Sequence, residues 1–190
     1  MTDSRSITTL FVPGLRDHVA DHWQTLMAER IPGSRTVEPL TENKLSRKAR
    51  VAALDEALAG IEGDVLLVAH SAGVLTTVFW DWAPTRPIAG ALLVAPADVE
   101  SAMPEGYPTM DEIVGGGWLP IPRWPLSFPA TVVASRNDPL AEYSRTEALA
   151  GAWGARLHDA GDVGHLNPAA GFGDWPEGFR LWEEMLLELG

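Results

Sequence analysis

Apolar and polar positions along the chain follow two alternating rhythms. Short apolar, β-branched runs are followed by longer stretches in which apolar residues recur every three or four positions. Ile7 to Val12 is a strand-like run that stops at Pro13-Gly14, and Trp23 to Ile31 has helical spacing at Trp23, Leu26, Met27 and Arg30. Arg35 to Leu40 reads as a short second strand. Lys44 to Ile61 reads as a helix whose inward stripe is Val51, Leu54, Leu58 and Ile61. Asp64 to Ala69 has no polar alternation after Asp64. A strand of that kind is covered on both faces, as in a parallel sheet with helices on each side. The pattern then gives a helix over Ala72 to Trp82, strands over Ile88 to Ala95 and Ala130 to Ser135, and a helix over Leu140 to Trp153. A short strand over Ala155 to Asp159 follows, then a closing helix from Asp174 to Leu189. In that last helix Phe179, Trp182, Leu186 and Leu189 form one stripe, and Asp174, Pro176 and Glu177 mark the start.

This alternation predicts one three-layer α/β domain over residues 1–190, with about six mainly parallel strands and no separate cap domain. A chain of 190 residues can bury roughly 70% of its unfolded surface, so it needs no covalent staple. One segment breaks the rhythm. Residues 97–128 are rich in Pro and Gly and hold Trp118 and Trp124, the composition of a binding loop, a lid or an interaction surface. Its Gly115-Gly116-Gly117 is not a phosphate loop, because no strand leads into it and no Gly-Lys-Ser/Thr follows.

Composition removes several function classes. With no cysteine there is no thiol mechanism, thiolate metal site or disulfide, which fits a reducing, cytoplasmic setting. A net charge of −12 repels phosphate backbones, so a nucleic-acid partner is not expected. The first residues show no long apolar signal-peptide core, and no apolar run approaches the ~20 residues of a membrane helix. Neither HExxH nor a tight His/Asp cluster is present, so no metal or other cofactor is expected.

The chemistry centres on Ala69-His70-Ser71-Ala72-Gly73, placed between a buried strand and a helix. This is the context of a nucleophile elbow, G-x-S-x-G, with Ala69 in place of the first glycine. Small residues are needed there because the serine sits on a sharp turn crowded by neighbouring backbone. Downstream, Asp138 follows the fifth strand and His165 follows the sixth, giving the chain order Ser–Asp–His. All three fall at the carboxyl edge of the sheet, where open parallel sheets build their sites. In this arrangement His165 is the base, Asp138 orients it, and Ser71 attacks. Asp98, after the fourth strand, and Asp162, close to His165, are alternative acids, with Asp138 preferred. The backbone N–H of Ala72 and, from the loop after the first strand, that of Leu15 are candidate oxyanion donors, with Gly14 allowing close approach. His22, Trp23 and Trp118 are candidate cleft-wall residues, with core packing an equal reading for both tryptophans. His70 is expected to pack, His18 to lie near the cleft, and His158 to be structural.

These residues carry a family resemblance. FVPG followed by His22-Trp23-Gln24, VAHSAG, ASRNDPL and above all GHLNPAAGFGDWPEG, from Gly164 to Gly178, resemble the small YdeN-type serine hydrolases related to retinoblastoma-binding protein nine. The resemblance implies a reduced α/β-hydrolase fold with a triad at Ser71, Asp138 and His165. It also implies hydrolysis of an ester or related acyl bond in a small-molecule substrate through an acyl-enzyme. Many members carry a larger apolar residue where Ala72 stands, and residues 97–128 match least. Two alternatives are a protein-interaction scaffold with weak or vestigial activity, whose contact surface is the Pro/Trp loop, and a peptidase or thioesterase of narrow specificity.

Overall fold

The computed structural model describes residues 6–190. Residues 1–5, the start of the stretch read as lacking a signal-peptide core, lie outside the described residues. The strands are β1 (Ile7–Val12), β2 (Arg35–Thr36), β3 (Asp64–His70), β4 (Gly90–Val94), β5 (Ala130–Ala134) and β6 (Arg156–Asp159). The helices are α1 (Trp23–Arg30), α2 (Arg47–Ala59), α3 (Ala72–Trp80), α4 (Met110–Gly115), α5 (Tyr143–Ala152) and α6 (Pro176–Leu189).

The six strands form one sheet in the order β2-β1-β3-β4-β5-β6, with every pairing parallel. The period of two along each strand divides the core into two layers. Val65, Leu67 and Ala69 of β3 face α2, α3 and α5, packing with Leu54, Leu58, Val74, Val78 and Leu149. Leu66 and Val68 face the opposite way, toward Trp23 and Met27 of α1 and Leu181 and Met185 of α6. With helices on both faces, β3 and β4 are buried from Val65 to Val94 wherever they pair, as their unbroken apolar sequence predicts.

Three expectations are corrected. The second strand pairs only over Arg35–Thr36. Val37 still donates its N–H to Phe11 O, but Pro39 has no N–H to carry the ladder further. The last helix begins at Pro176 and Trp175 caps it without a side-chain bond, while Asp174, one residue before the cap, pairs with Arg30 at 2.8 Å. Its buried ridge is Gly178, Leu181 and Met185, and the expected stripe of Phe179, Trp182, Leu186 and Leu189 flanks it half-buried. Finally, the helix expected from Leu140 starts at Tyr143, leaving Leu140 on the loop that carries Asp138.

The irregular segment is anchored at both ends. Asp98 is bound by Arg145 through Nε at 2.9 Å and Nη2 at 3.0 Å, and Glu100 pairs with both Arg145 and Arg123. Further along, Trp118 is 1% exposed, packs edge-on against Phe79 and donates its indole N–H to Leu45 O at 2.7 Å. A side chain at Gly116 would meet that same carbonyl at 2.4 Å, which accounts for part of the glycine triplet. Among the described residues no helix is long and apolar enough to cross a membrane.

Candidate active site

Ser71 stands between β3 and α3 with φ 57° and ψ −122°, a conformation non-glycine residues rarely adopt. Its neighbours explain how the turn is held. Ser71 N–H donates to Val94 O, and a Cβ on Gly73 would lie 2.1 Å from Val12 O and 2.7 Å from Pro13 O. The end of β1 therefore packs directly on the elbow, and only glycine fits at position 73. At Gly14 a Cβ would lie 3.2 Å from Ser71 Cβ and 3.6 Å from Ser71 Oγ, so this loop also closes on the serine hydroxyl.

His165 Nε2 is 2.9 Å from Ser71 Oγ, and His165 Nδ1 is 2.8 Å from Asp138 Oδ2 and 3.0 Å from Oδ1. A carboxylate only accepts, so Nδ1 carries the imidazole proton and donates it to Asp138. Nε2 is then the acceptor for the Ser71 hydroxyl. The His165 and Asp138 side chains are 5% and 3% exposed, so the pair is shielded from solvent. Asp138 Oδ1 also accepts the Leu140 N–H at 2.8 Å, which fixes the carboxylate's orientation.

The loops bearing the acid and the base are stitched together. Asn137 Oδ1 accepts from Gly164 N–H at 2.6 Å and from Ser135 Oγ at 3.0 Å, and Arg136 N–H donates to Gly161 O. The stretch Ser135-Arg136-Asn137 thus positions His165 as well as Asp138. Sequence reasoning singled out the acid and passed over Asn137, whose polar side chain directly before a candidate acid was the available signal.

The structure brings Gly14, Leu15, His22, Ser71, Ala72 and His165 to the wall of one cavity of about 250 Å³. Ala97, Val99, Met103 and Tyr107 form its apolar side, so the near end of the irregular segment lines the cavity. The Arg16 guanidinium lies over the Tyr107 ring at 5.7 Å, linking the first loop to that segment. Two expected wall residues do not line it. Trp23 is 1% exposed, stacks edge-on with Trp175 and donates to Leu166 O, while Trp118 is buried against Phe79 and does not line the cavity at Ser71. Of the two readings open for these tryptophans, wall or core, the structure takes the core for both, with each indole N–H satisfied. Asp98 is occupied by Arg145 and Ser101, and Asp162 is exposed, so neither alternative acid meets His165. Among the described residues no group of three or more His, Asp or Glu side chains is placed to hold a metal ion.

Three imidazoles, those of His22, His70 and His165, meet beside Ser71. His70 Nε2 donates to the His165 carbonyl at 2.9 Å, and its ring lies 4.9 Å from that of His165 and 4.7 Å from that of His22. His70 therefore does more than fill space: it holds the backbone of His165 from beneath. His22 Nδ1 accepts the Gln24 N–H and caps α1. Burial, then the neighbouring His165, lowers the His22 pKa to about 4, and burial lowers that of His70 well below the ordinary value. Both rings are neutral in the folded protein at pH 7. The unfolded chain takes up their protons near pH 6.5, before the folded chain does. Stability is thus undiminished above about pH 6.5 and falls as pH drops toward 4, by about 3 kcal/mol from His22 alone. Urea unfolding of wild type and His22→Asn at pH 7 and 4.5 checks this. The wild type should lose more stability on acidification than the variant, and equal losses would contradict it.

The comparisons with known proteins follow the same outline. A family model described as serine hydrolase matches residues 9–184. A YdeN-like hydrolase from Pectobacterium atrosepticum is 33% identical, with 96% of this chain and 92% of that chain covered and a TM-score of 0.80. The ydeN gene product from B. subtilis is 17% identical over 95% of this chain and 99% of its own, with a TM-score of 0.73. A thermophilic esterase from Thermogutta terrifontis is 16% identical over 97% and 91% of the two chains, with a TM-score of 0.64. The last two share the fold. No curated protein matches the chain.

Proposed function

The chain belongs to this serine hydrolase family, with an α/β-hydrolase fold of the YdeN type, and from that premise we propose that it cleaves ester or related acyl bonds through Ser71, His165 and Asp138. The observation that carries the reading is the unbroken relay of hydrogen bonds, 2.9 Å from Ser71 Oγ to His165 Nε2 and 2.8 Å from Nδ1 to Asp138 Oδ2.

In this reading the substrate carbonyl rests against Ser71 in the cavity. As Oγ attacks the carbonyl carbon, its proton passes to His165 Nε2, and Asp138 stabilises the imidazolium. The carbonyl oxygen becomes an oxyanion, held by the N–H groups of Ala72 and Leu15. Ala72 is the first residue of α3, whose unpaired N–H groups favour negative charge. The tetrahedral adduct collapses, and His165 gives its proton to the departing alcohol. Water, deprotonated by the same imidazole, then attacks the acyl-serine; the imidazolium returns that proton to the leaving Ser71 Oγ as the acid departs. No step needs a cofactor.

The cavity supports a small acyl substrate. Its volume of about 250 Å³ falls just below the ~300–1,000 Å³ usual for small-molecule sites. The scaffold alternative rests on the Pro/Trp loop, in which Trp118 is buried and Ala97, Val99 and Met103 line the cavity, while Trp124 is half-buried against the exposed ring of Trp82. A panel of p-nitrophenyl esters of increasing acyl length, with thioesters and peptide amides alongside, tests the reading. Short and medium esters should turn over, and Val99→Phe should move the preference to shorter chains. Absence of ester turnover with active thioester or amide cleavage would replace the substrate class. Absence of all turnover would favour the scaffold.

A further inference from the structure

Arg50 is the most fully committed cation among the described residues, and the triad does not use it. It stands in the first turn of α2, where a positive charge opposes the helix dipole, and it is 6% exposed. Burying a guanidinium there is costly unless its donors are satisfied. They are, and nearly all by one loop. Nη1 donates to Gly14 O at 3.2 Å and faces Asp17 Oδ1 at 3.2 Å, while Nη2 donates to Leu15 O at 3.1 Å. Nε donates to Lys44 O at 2.6 Å, which fixes the guanidinium plane itself. Asp17, left-handed at φ 54°, donates its own N–H to Gly14 O and closes the turn.

The carbonyl of Gly14 and the N–H of Leu15 belong to one peptide unit. That unit is trans, so its oxygen and its hydrogen point in opposite directions. A cation gripping Gly14 O from the α2 side therefore turns the Leu15 N–H away from Arg50, and Gly14, Leu15 and Ser71 border the same cavity, where a Cβ on Gly14 would lie only 3.6 Å from Ser71 Oγ. The same grip draws electron density toward the oxygen and makes the N–H a stronger donor.

We propose that Arg50 is a positioning residue for the oxyanion hole: its guanidinium fixes the Gly14–Leu15 and Leu15–Arg16 peptides so that the Leu15 N–H is preset toward the developing oxyanion. The inference rests on the reading of Ser71 as nucleophile and adds a residue that touches neither substrate nor triad. Lysine cannot replace it, because an ammonium has no planar fork to hold two successive carbonyls at once.

The test uses the full chain with p-nitrophenyl acetate, turnover being expressed per site titrated by a fluorophosphonate and melting temperature measured in parallel. Removing one oxyanion donor from a serine hydrolase costs about 10²–10³ in kcat, so a donor left in place but unfixed should cost roughly 10- to 100-fold. Arg50→Lys and Arg50→Ala are expected to lose kcat by that factor with KM within about threefold of wild type, because the contact is made in the transition state. Methylguanidinium at millimolar concentration should restore part of the kcat of Arg50→Ala, and not that of wild type. Should Arg50→Ala fail to fold, Arg50→Lys decides alone. Wild-type kcat per titrated site in folded Arg50→Lys overturns the clamp, as does a rise in KM with unchanged kcat. Ser71→Ala, which has no titratable site and is therefore measured per mole of folded protein, separates the two levels. Turnover retained there overturns nucleophile and clamp together, whereas turnover lost there but kept in Arg50→Lys overturns the clamp only.

Discussion

Alanine at Ser71 or at His165 is expected to lower kcat for a p-nitrophenyl ester by up to about 10⁶, and the double variant should be no worse than either single one. The two groups act as a unit. Without the imidazole the hydroxyl keeps its proton, and without the hydroxyl the imidazole has nothing to activate. What remains is the contribution of the oxyanion donors and the cavity. Ser71→Ala should also be nearly neutral for stability. The Ser71 side chain makes no cap bond to α3, and its partner, His165, keeps its bond to Asp138 and the His70 bond to its carbonyl. Full activity in a folded Ser71→Ala protein, measured by ester hydrolysis, would rule out the mechanism.

Asp138→Asn should cost about 10⁴ in kcat with the fold intact, as expected when a triad imidazole is held in the wrong tautomer. Here the local bonds dictate that outcome. Asp138 Oδ1 accepts the Leu140 N–H, so the asparagine oxygen stays on that side and its NH₂ takes the place of Oδ2. With the NH₂ at the nearer position and the remaining oxygen, 3.0 Å away, already taken by the Leu140 N–H, the tautomer with Nδ1 accepting is favoured and the ring proton moves to Nε2. It then points at Ser71 Oγ, which needs an acceptor there. Asp98→Asn is the matched control. Burial raises the Asp98 pKa, but Arg145 and Ser101 more than offset this and hold it below the ordinary carboxylate range. Its loss should weaken the anchoring of the irregular segment and lower the melting temperature, while kcat stays within about tenfold of wild type. Steady-state kinetics on both variants decides between them: a larger fall in kcat for Asp98→Asn would reverse the assignment of the acid.

The positions of Ser71, Asp138 and His165 at one sheet edge could be read from the sequence because a parallel sheet has strong local signals. Each strand is a short apolar run, each is followed by a helical stripe, and residues directly after strands share one rim. The same logic fails where partners are chosen by tertiary packing. Trp118 and Trp23 carry no local mark that separates a cavity wall from a core, and the structure puts both in the core with their N–H groups bonded to Leu45 O and Leu166 O. Arg50 is 35 residues from its Leu15 partner, and helical periodicity reports only which face it occupies. Its one sequence signal is the run Arg47, Lys48 and Arg50 at a helix start, where acidic residues are the usual choice. The start of the last helix shows the converse. Asp174 has the spacing of a cap, but Pro176 takes the first helical position and the cap falls to Trp175, with Asp174 paired to Arg30 instead.

The most direct measurement is intact-mass analysis of the folded protein after reaction with a fluorophosphonate, followed by peptide mapping. One adduct per chain on Ser71, absent from Ser71→Ala and formed far more slowly in His165→Ala, is the predicted result. A folded wild-type protein that takes up no label, or takes it up on another residue, would contradict it.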